Sequence, residues 1–241
     1  MDDKLIKLQE MLDESENIVF FGGAGVSTES KIPDFRSSDG VYQQKQFRYP
    51  PEIMLSHEFY EEHTYDFFDF YQTMIFPDAK PNPAHLKLAQ WEKEGKLKAV
   101  VTQNIDGLHQ MAGSKNVFEL HGSVKRNYCT ACGSFYDESI VLDANGGIPY
   151  CPKCKNIVKP DVVLYGEGLD NDIVNGAIHA IQKADMLIVG GTSLVVYPAA
   201  GLINYYKGNK LVLINRDTTS YDSKANLIIN DSIGKVFSQM R

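Results

Sequence analysis

Four short apolar runs recur along this chain, Ile18–Phe21, Ala99–Thr102, Met186–Val189 and Leu211–Asn215, and each leads into glycine or a small polar cluster. Runs of this length, bounded by turn residues, have the pattern of strands buried on both faces of a sheet. Val162–Leu164 and Leu227–Ile229 are weaker candidates of the same kind. Between them, Lys4–Glu14, Asn82–Lys93, Asp172–Ala184 and Ala199–Lys207 carry helical patterning. Buried strands that alternate with helices are joined by crossovers, so the expected fold class is α/β, a doubly wound parallel sheet. Two stretches break the rhythm: Ser37–Lys80 is aromatic-rich and more helical, and Lys125–Val158 holds all four cysteines. The expected organisation is a sheet domain made of 1–36, 81–124 and 159–241, with 37–80 and 125–158 inserted as a smaller lobe. A ligand is then expected in the crevice between the lobes, at the carboxyl ends of the strands.

The cysteines come as Cys129-Thr-Ala-Cys132 and Cys151-Pro-Lys-Cys154. Two such pairs can converge on one ion as short knuckles, each offering two soft sulfur ligands, and this is the spacing of a four-thiolate zinc site. Disulfides would need an oxidising compartment. The opening Met1-Asp2-Asp3-Lys4, followed by mixed charge, is not the pattern of a signal peptide, and a cytoplasmic chain is expected. A redox dithiol would not need doubling. Four thiolates leave no position for water, so the metal is expected to be structural and the chemistry to lie elsewhere.

A net charge of −7 argues against a non-specific nucleic-acid binder, which needs a basic face. The apolar runs fall far short of the ~20 residues of a membrane helix. Neither nucleic acid nor membrane is therefore an expected partner, and a monomer is the simplest expectation.

The first strand runs into Gly22-Gly23-Ala24-Gly25-Val26-Ser27-Thr28. Glycines here allow positive φ and a close approach of backbone to a pyrophosphate at a helix N-terminus, although a tight strand-to-helix turn accounts for them equally well. The third glycine of the dinucleotide fingerprint is absent, with Thr28 in its place, and no acid follows a second strand. Lys31-Ile-Pro-Asp34-Phe35-Arg36 then sets an anion, an aromatic plate and a permanent cation side by side on a loop stiffened by Pro33. Thr102-Gln103-Asn104-Ile105-Asp106 places polar groups at a strand's carboxyl edge, where Asn104 and Asp106 can orient a water or a ribose hydroxyl or simply form an Asx turn. His121-Gly122 follows another short apolar run, and its imidazole is a candidate general base. Of the other histidines, His57, His63 and His179 read as solvated, and His85 and His109 as capping or packing residues. Gly191-Thr192-Ser193 and Asn215 supply small hydrogen-bonding groups after two later strands.

Taken in order, Gly23-Ala-Gly-Val-Ser27, Ile32-Pro-Asp-Phe-Arg36, Thr102-Gln-Asn-Ile-Asp106, His121-Gly122, the paired cysteine knuckles, Gly191-Thr-Ser193 and Ile214-Asn215 resemble the sirtuin family of NAD-dependent protein lysine deacylases. The resemblance spans roughly residues 15 to 235, with one departure: Lys31 stands where the family usually has glycine. It implies a Rossmann-like NAD domain and a small lobe of a helical and a zinc module, with an acyl-lysine peptide between them. It also implies that NAD is consumed as a co-substrate and that one zinc is structural. By the same resemblance His121 is the base, Asn104 positions a ribose or a water, and Asp106, Ile105 and Phe35 form the nicotinamide pocket. Gly23, Ala24, Gly25, Thr28, Asp34, Arg36 and Gln103 belong to the phosphate and ribose region. Gly191, Thr192, Ser193 and Asn215 belong to the adenosine side, with Ser232 and Ile233 near the adenine. Val162–Glu167 contains the edge on which the peptide adds as a strand. The alternatives are protein ADP-ribosyl transfer, an NAD-dependent dehydrogenase, or a zinc scaffold without activity.

Overall fold

The computed structural model describes residues 2–34, 40 and 48–241. Six strands form one sheet in the order β3-β2-β1-β7-β8-β9: β1 is Ile18–Gly22, β2 Leu97–Thr102, β3 Val117–Glu119, β7 Met186–Gly190, β8 Leu211–Ile214 and β9 Leu227–Ile229. Every pairing in this sheet is parallel. The chain winds outward from β1 to β3 on one side, then crosses to β7 and winds outward again, so the order reverses between β1 and β7. That reversal opens a crevice at the carboxyl ends of two adjacent strands.

The strands are buried on both faces because their alternating side chains feed two separate cores. Ile18 and Phe20 pack with Leu8, Trp91 and Phe237. Val19 and Phe21 pack with Ile181, Leu202 and Tyr206 on the other face. Helices Asp3–Asp13, Pro83–Lys93 and Asn171–Lys183 cover these faces, with Asp2, Asn82 and Asp170 as N-caps whose side chains accept from the first-turn amides. His85 closes a capping box with Asn82.

A second, antiparallel sheet has the order β5-β4-β6, with β4 at Gly122–Cys129, β5 at Phe135–Tyr136 and β6 at Val158–Val162. It corrects one expectation. The run Val162–Leu164 adds no strand to the large sheet; Val162 ends β6, and the residues after it form a separate edge. The β4 sequence Gly-Ser-Val-Lys-Arg-Asn-Tyr-Cys alternates only partly in burial, and this masks the strand. Ala199–Lys207 is also corrected, to a 3-10 helix spanning Ala199–Tyr205.

The aromatic helices His57–Glu62 and Thr64–Gln72 supply a third core. Phe67, Phe68 and Tyr71, each with no exposed surface, pack there with Val124, Val141 and Val162 from the second sheet and its connections. Strand β4 runs across position 124 and β6 across 158, so the second sheet is rooted in the segments flanking the cysteine insertion. No helix among the described residues is long and apolar enough to cross a membrane.

Candidate active site

The turn after β1 is stitched to the exit of β7. The Gly23 amide donates to the Gly190 carbonyl at 3.3 Å and the Gly25 amide to the Gly191 carbonyl at 2.8 Å. A Cβ on Gly25 would lie 2.8 Å from the Gly191 Cα, and Gly191 itself has φ +61, so neither position admits a side chain without moving backbone. Two 3-10 turns, Ala24–Val26 and Thr28–Ser30, follow where a dinucleotide fold would start an α-helix.

Above this turn lies a cavity of about 410 Å³. Of the residues expected from the sequence, Ala24, Gly25, Asp34, Gln103, Asn104, Ile105, Asp106, His121, Gly191, Thr192, Ser193 and Asn215 line it. Thr28, Ser232 and Ile233 instead line a small adjoining cleft of about 30 Å³, shared with Gly25, Gly191 and Asn215. Gly23 lines neither and sits beneath the turn, where an added Cβ would come within 2.8 Å of the Thr192 Cβ. Phe35 and Arg36 lie outside the described residues.

Within the cavity the polar groups are cross-linked. The Ser27 hydroxyl donates to Asp106 Oδ2 at 2.6 Å and accepts from Asn104 Nδ2 at 3.1 Å, while the Leu108 backbone amide donates to Asp106 Oδ1 at 2.9 Å. Ser27 is the residue that sequence reasoning left without a role, although it stands inside the glycine motif. On the far wall, the Thr192 hydroxyl donates to Gln103 Oε1 at 2.8 Å and the Thr192 amide to Asn215 Oδ1 at 3.0 Å. These contacts fix both amide groups and leave Gln103 Nε2 and Asn215 Nδ2 buried without a protein partner among the described residues. Buried donors of this kind are normally satisfied, and a polar ligand bound here would supply the missing acceptors. Arg216, also unforeseen, pairs with Asp34 at 3.1 Å across the cavity mouth.

His121 is held by a 3.0 Å contact between Nδ1 and the Gln103 carbonyl. A carbonyl can only accept, so Nδ1 carries the proton and the neutral ring keeps its lone pair on Nε2. Burial pushes the imidazole below its ordinary range, against the opposing pull of the Gln103 bond. Among the other histidines, His85 and His109 are fully buried against each other, ring centroids 4.7 Å apart, and burial lowers both. His63 and His179 are exposed as expected. His57 is exposed too, but it is paired with Glu167.

The far end of the cavity is apolar, with Leu55, Tyr71, Met74, Phe76, Ile105 and Leu164. Sequence periodicity gives Tyr71 as a core residue; it is fully buried and lines the cavity as well.

The four cysteine sulfurs lie within 4.8 Å of one another. Cys129 and Cys154 are 3.3 Å apart and Cys132 and Cys151 3.7 Å, against the roughly 3.8 Å of four thiolates set tetrahedrally 2.3 Å from zinc. The knuckle turns close through the Gly133 amide to the Cys129 carbonyl and the Lys155 amide to the Cys151 carbonyl. The donor set fits one zinc ion bound by Cys129, Cys132, Cys151 and Cys154, with no position left for a reacting water.

A parallel sheet with a cavity at its switch point, beside a four-thiolate module, defines an α/β protein of the nucleotide-binding kind with a site for a structural metal. The Sir2 family model matches residues 23–198, and the chain belongs to that family. It is 64% identical to the NAD-dependent protein deacetylase of Clostridium acetobutylicum, covering 97% of this chain and 96% of that one. It is 63% identical to the enzyme of that name from Clostridium perfringens, covering 100% and 99%. Among solved structures, a Sir2 bound to acetylated peptide superimposes with a TM-score of 0.84 at 38% identity, covering 98% of this chain and 96% of that one. A Sir2 complex with a p53 peptide and NAD+ also gives 0.84, at 39% identity, with 97% and 95% covered.

Proposed function

We propose that this chain is an NAD-dependent protein lysine deacetylase, moving the acyl group of an acyl-lysine to ADP-ribose with release of nicotinamide. The observation that carries this reading is His121, held neutral in the cavity wall with Nε2 lacking a protein partner among the described residues, beside the Asn104–Ser27–Asp106 chain.

NAD supplies the activated bond between ribose and nicotinamide, and everything else falls to side chains of this protein. His121 Nε2 takes the proton of a ribose hydroxyl, a role in which a positioned base contributes about 10²–10⁴-fold. The Asp106 carboxylate, held in place by Ser27 and Leu108, would favour the positive charge that a bound NAD gains at its ribose carbon as nicotinamide departs. Asn104 orients the ribose or a water, and Ile105 with Phe35 completes the nicotinamide pocket. Ala24, Thr28, Asp34, Arg36 and Gln103 serve the phosphate and ribose region, on the turn formed by Gly23 and Gly25. Gly191, Thr192, Ser193 and Asn215 serve the adenosine half, and Ser232 and Ile233 the adenine through the adjoining cleft.

In this reading 1–36, 81–124 and 159–241 form the cofactor domain, 37–80 and 125–158 the small lobe. The acyl-lysine peptide adds as a strand along 162–167, its acyl chain directed toward Leu55, Tyr71 and Met74. The enzyme works as a cytoplasmic monomer on acyl-lysine proteins, without nucleic acid, in keeping with its net charge of −7. Replacing His121 with alanine is expected to leave zinc content and circular dichroism intact while product formation falls by about two to four orders of magnitude. A folded variant that deacylates at near-normal rate would sink the assignment.

A further inference from the structure

The segment proposed to receive the peptide is held by three backbone bonds. The Val163 amide donates to the His121 carbonyl at 3.0 Å, the Tyr165 amide to the Leu55 carbonyl at 2.9 Å, and the His57 amide to the Tyr165 carbonyl at 2.9 Å. These bonds fix the Val163 and Tyr165 backbone groups against the flanking elements, while the Leu164 amide and carbonyl are taken up by the turn that follows. The turn that ends the segment depends on one side chain. Glu167 Oε2 accepts from the Leu164 amide at 2.9 Å, and the Glu167 amide donates back to the Leu164 carbonyl at 2.9 Å.

The carboxylate is itself pinned. Its Oε1 meets His57 Nδ1 at 3.0 Å and Lys159 Nζ at 3.3 Å. Lys159 comes from β6 and lies 5.7 Å from the centre of the Tyr60 ring, whereas His57 opens the helix His57–Glu62. The second sheet, the helical module and the segment therefore meet at Glu167. Burial alone would raise its pKa, but the Leu164 amide, His57 and Lys159 together hold it below the usual range, so the clamp is anionic at neutral pH. Glu167 borders the cavity, whereas His57 and Lys159 do not line it, and none of the three belongs to a strand of the large sheet.

We infer that Glu167, clamped by His57 and Lys159, is a positioning group that sets the shape of the peptide-receiving edge, so that this trio governs affinity for acyl-peptide and leaves the chemical step alone. The inference rests on the reading that the peptide pairs along 162–167.

The test is steady-state kinetics of the full-length, zinc-loaded enzyme with a short acetyl-lysine peptide. His57→Ala removes one partly exposed contact, and the KM for peptide is expected to rise about three- to tenfold while kcat and the KM for NAD stay within about twofold. Glu167→Ala also frees the Leu164 amide, with an expected rise of about ten- to hundredfold. His57→Asn keeps a donor at the reach of Nδ1 and is expected to restore the peptide KM to within about twofold of the parent. An unchanged peptide KM in His57→Ala overturns the inference. So does a kcat that falls in step with affinity, or an asparagine variant as impaired as alanine. The edge reading fails separately. A peptide methylated on its backbone nitrogens cannot donate to a strand, and a parent enzyme indifferent to that methylation refutes the edge. A parent enzyme sensitive to methylation, with His57→Ala unaffected, refutes only the clamp.

Discussion

Ser27→Ala isolates the preorganisation of the proposed catalytic centre, because this hydroxyl joins two groups that have few other restraints. It is 1% exposed, donates to Asp106 Oδ2 at 2.6 Å and accepts from Asn104 Nδ2 at 3.1 Å. Alanine removes both contacts and introduces no new group. Among the described residues Asp106 keeps the Leu108 backbone amide, on its other oxygen, and Asn104 Nδ2 loses its acceptor. A hydrogen bond to a charged group is worth about 1.5–3 kcal/mol. If the carboxylate must face the developing cation in this pose, that loss appears in the barrier as roughly a ten- to 150-fold fall in kcat. Most of the fold is indifferent to the change, since the strands on either side are held by backbone bonds. The assay is nicotinamide release at saturating NAD and acetyl-peptide, with urea unfolding as the control for stability. The same substitution made in an Asp106→Ala background should then cost little, because the two side chains act as one unit. A kcat within about threefold of the parent would refute the reasoning, since it would show that the pose of Asp106 does not limit the rate.

Other consequences can be measured as directly. Burial pushes His85 down to about 4, so between its ordinary 6.5 and that value the unfolded chain binds a proton that the folded chain refuses. Stability must therefore fall with pH across this window, by about 2 kcal/mol from His85 alone between pH 7.5 and 5, with buried His109 adding in the same direction; urea midpoints that do not move would contradict this. Replacing any one of Cys129, Cys132, Cys151 or Cys154 with alanine should lose the zinc, disorder the second sheet and reduce activity indirectly, whereas cobalt in place of zinc should preserve turnover; a metal-free, fully active variant would refute a structural site. At the apolar end of the cavity Leu55, Tyr71, Met74 and Phe76 offer no cation to an acidic acyl group, so acetyl should be removed faster than succinyl from one peptide, because a desolvated carboxylate without a partner is costly. Faster desuccinylation would overturn that reading.

Much of this architecture could be read directly from residue order. Strands buried on both faces announce themselves as unbroken apolar runs, and β1, β2, β7, β8 and β9 lie where those runs predict. The antiparallel sheet could not be read this way. β4 carries Lys125 and Arg126 in its middle, and Arg126 pairs with Glu119 and Asp161, which are brought to it by other strands. Val162 looked like part of a core strand because its burial comes from the helical module, which local sequence cannot reveal. At the site, motif residues were legible wherever backbone and side chain act locally. Ser27 was missed because its importance lies in partners 77 and 79 residues away. Lys31, out of place beside the family's usual glycine, takes φ +65, so the chain keeps the left-handed turn with a residue that adopts it reluctantly.

The cysteine module hangs from the protein by two strands, and both are rooted in the cavity wall. At one root β4 begins at Gly122, directly after His121; at the other β6 ends at Val162, directly before the peptide edge, and the two residues are paired. The fit is so close that a Cβ on Gly122 would come within 1.9 Å of the Asp161 carbonyl oxygen. Zinc at the far end would work like the knot of a drawstring: drawing the four thiolates together keeps the two strands side by side, across the shift in register between Ser123 and Asn127, and the paired roots hold the proposed base and the substrate edge at a fixed separation. The length and contents of the loop beyond the knot can then drift without disturbing that spacing, whereas a residue gained or lost between the knot and either root would move one reactant relative to the other.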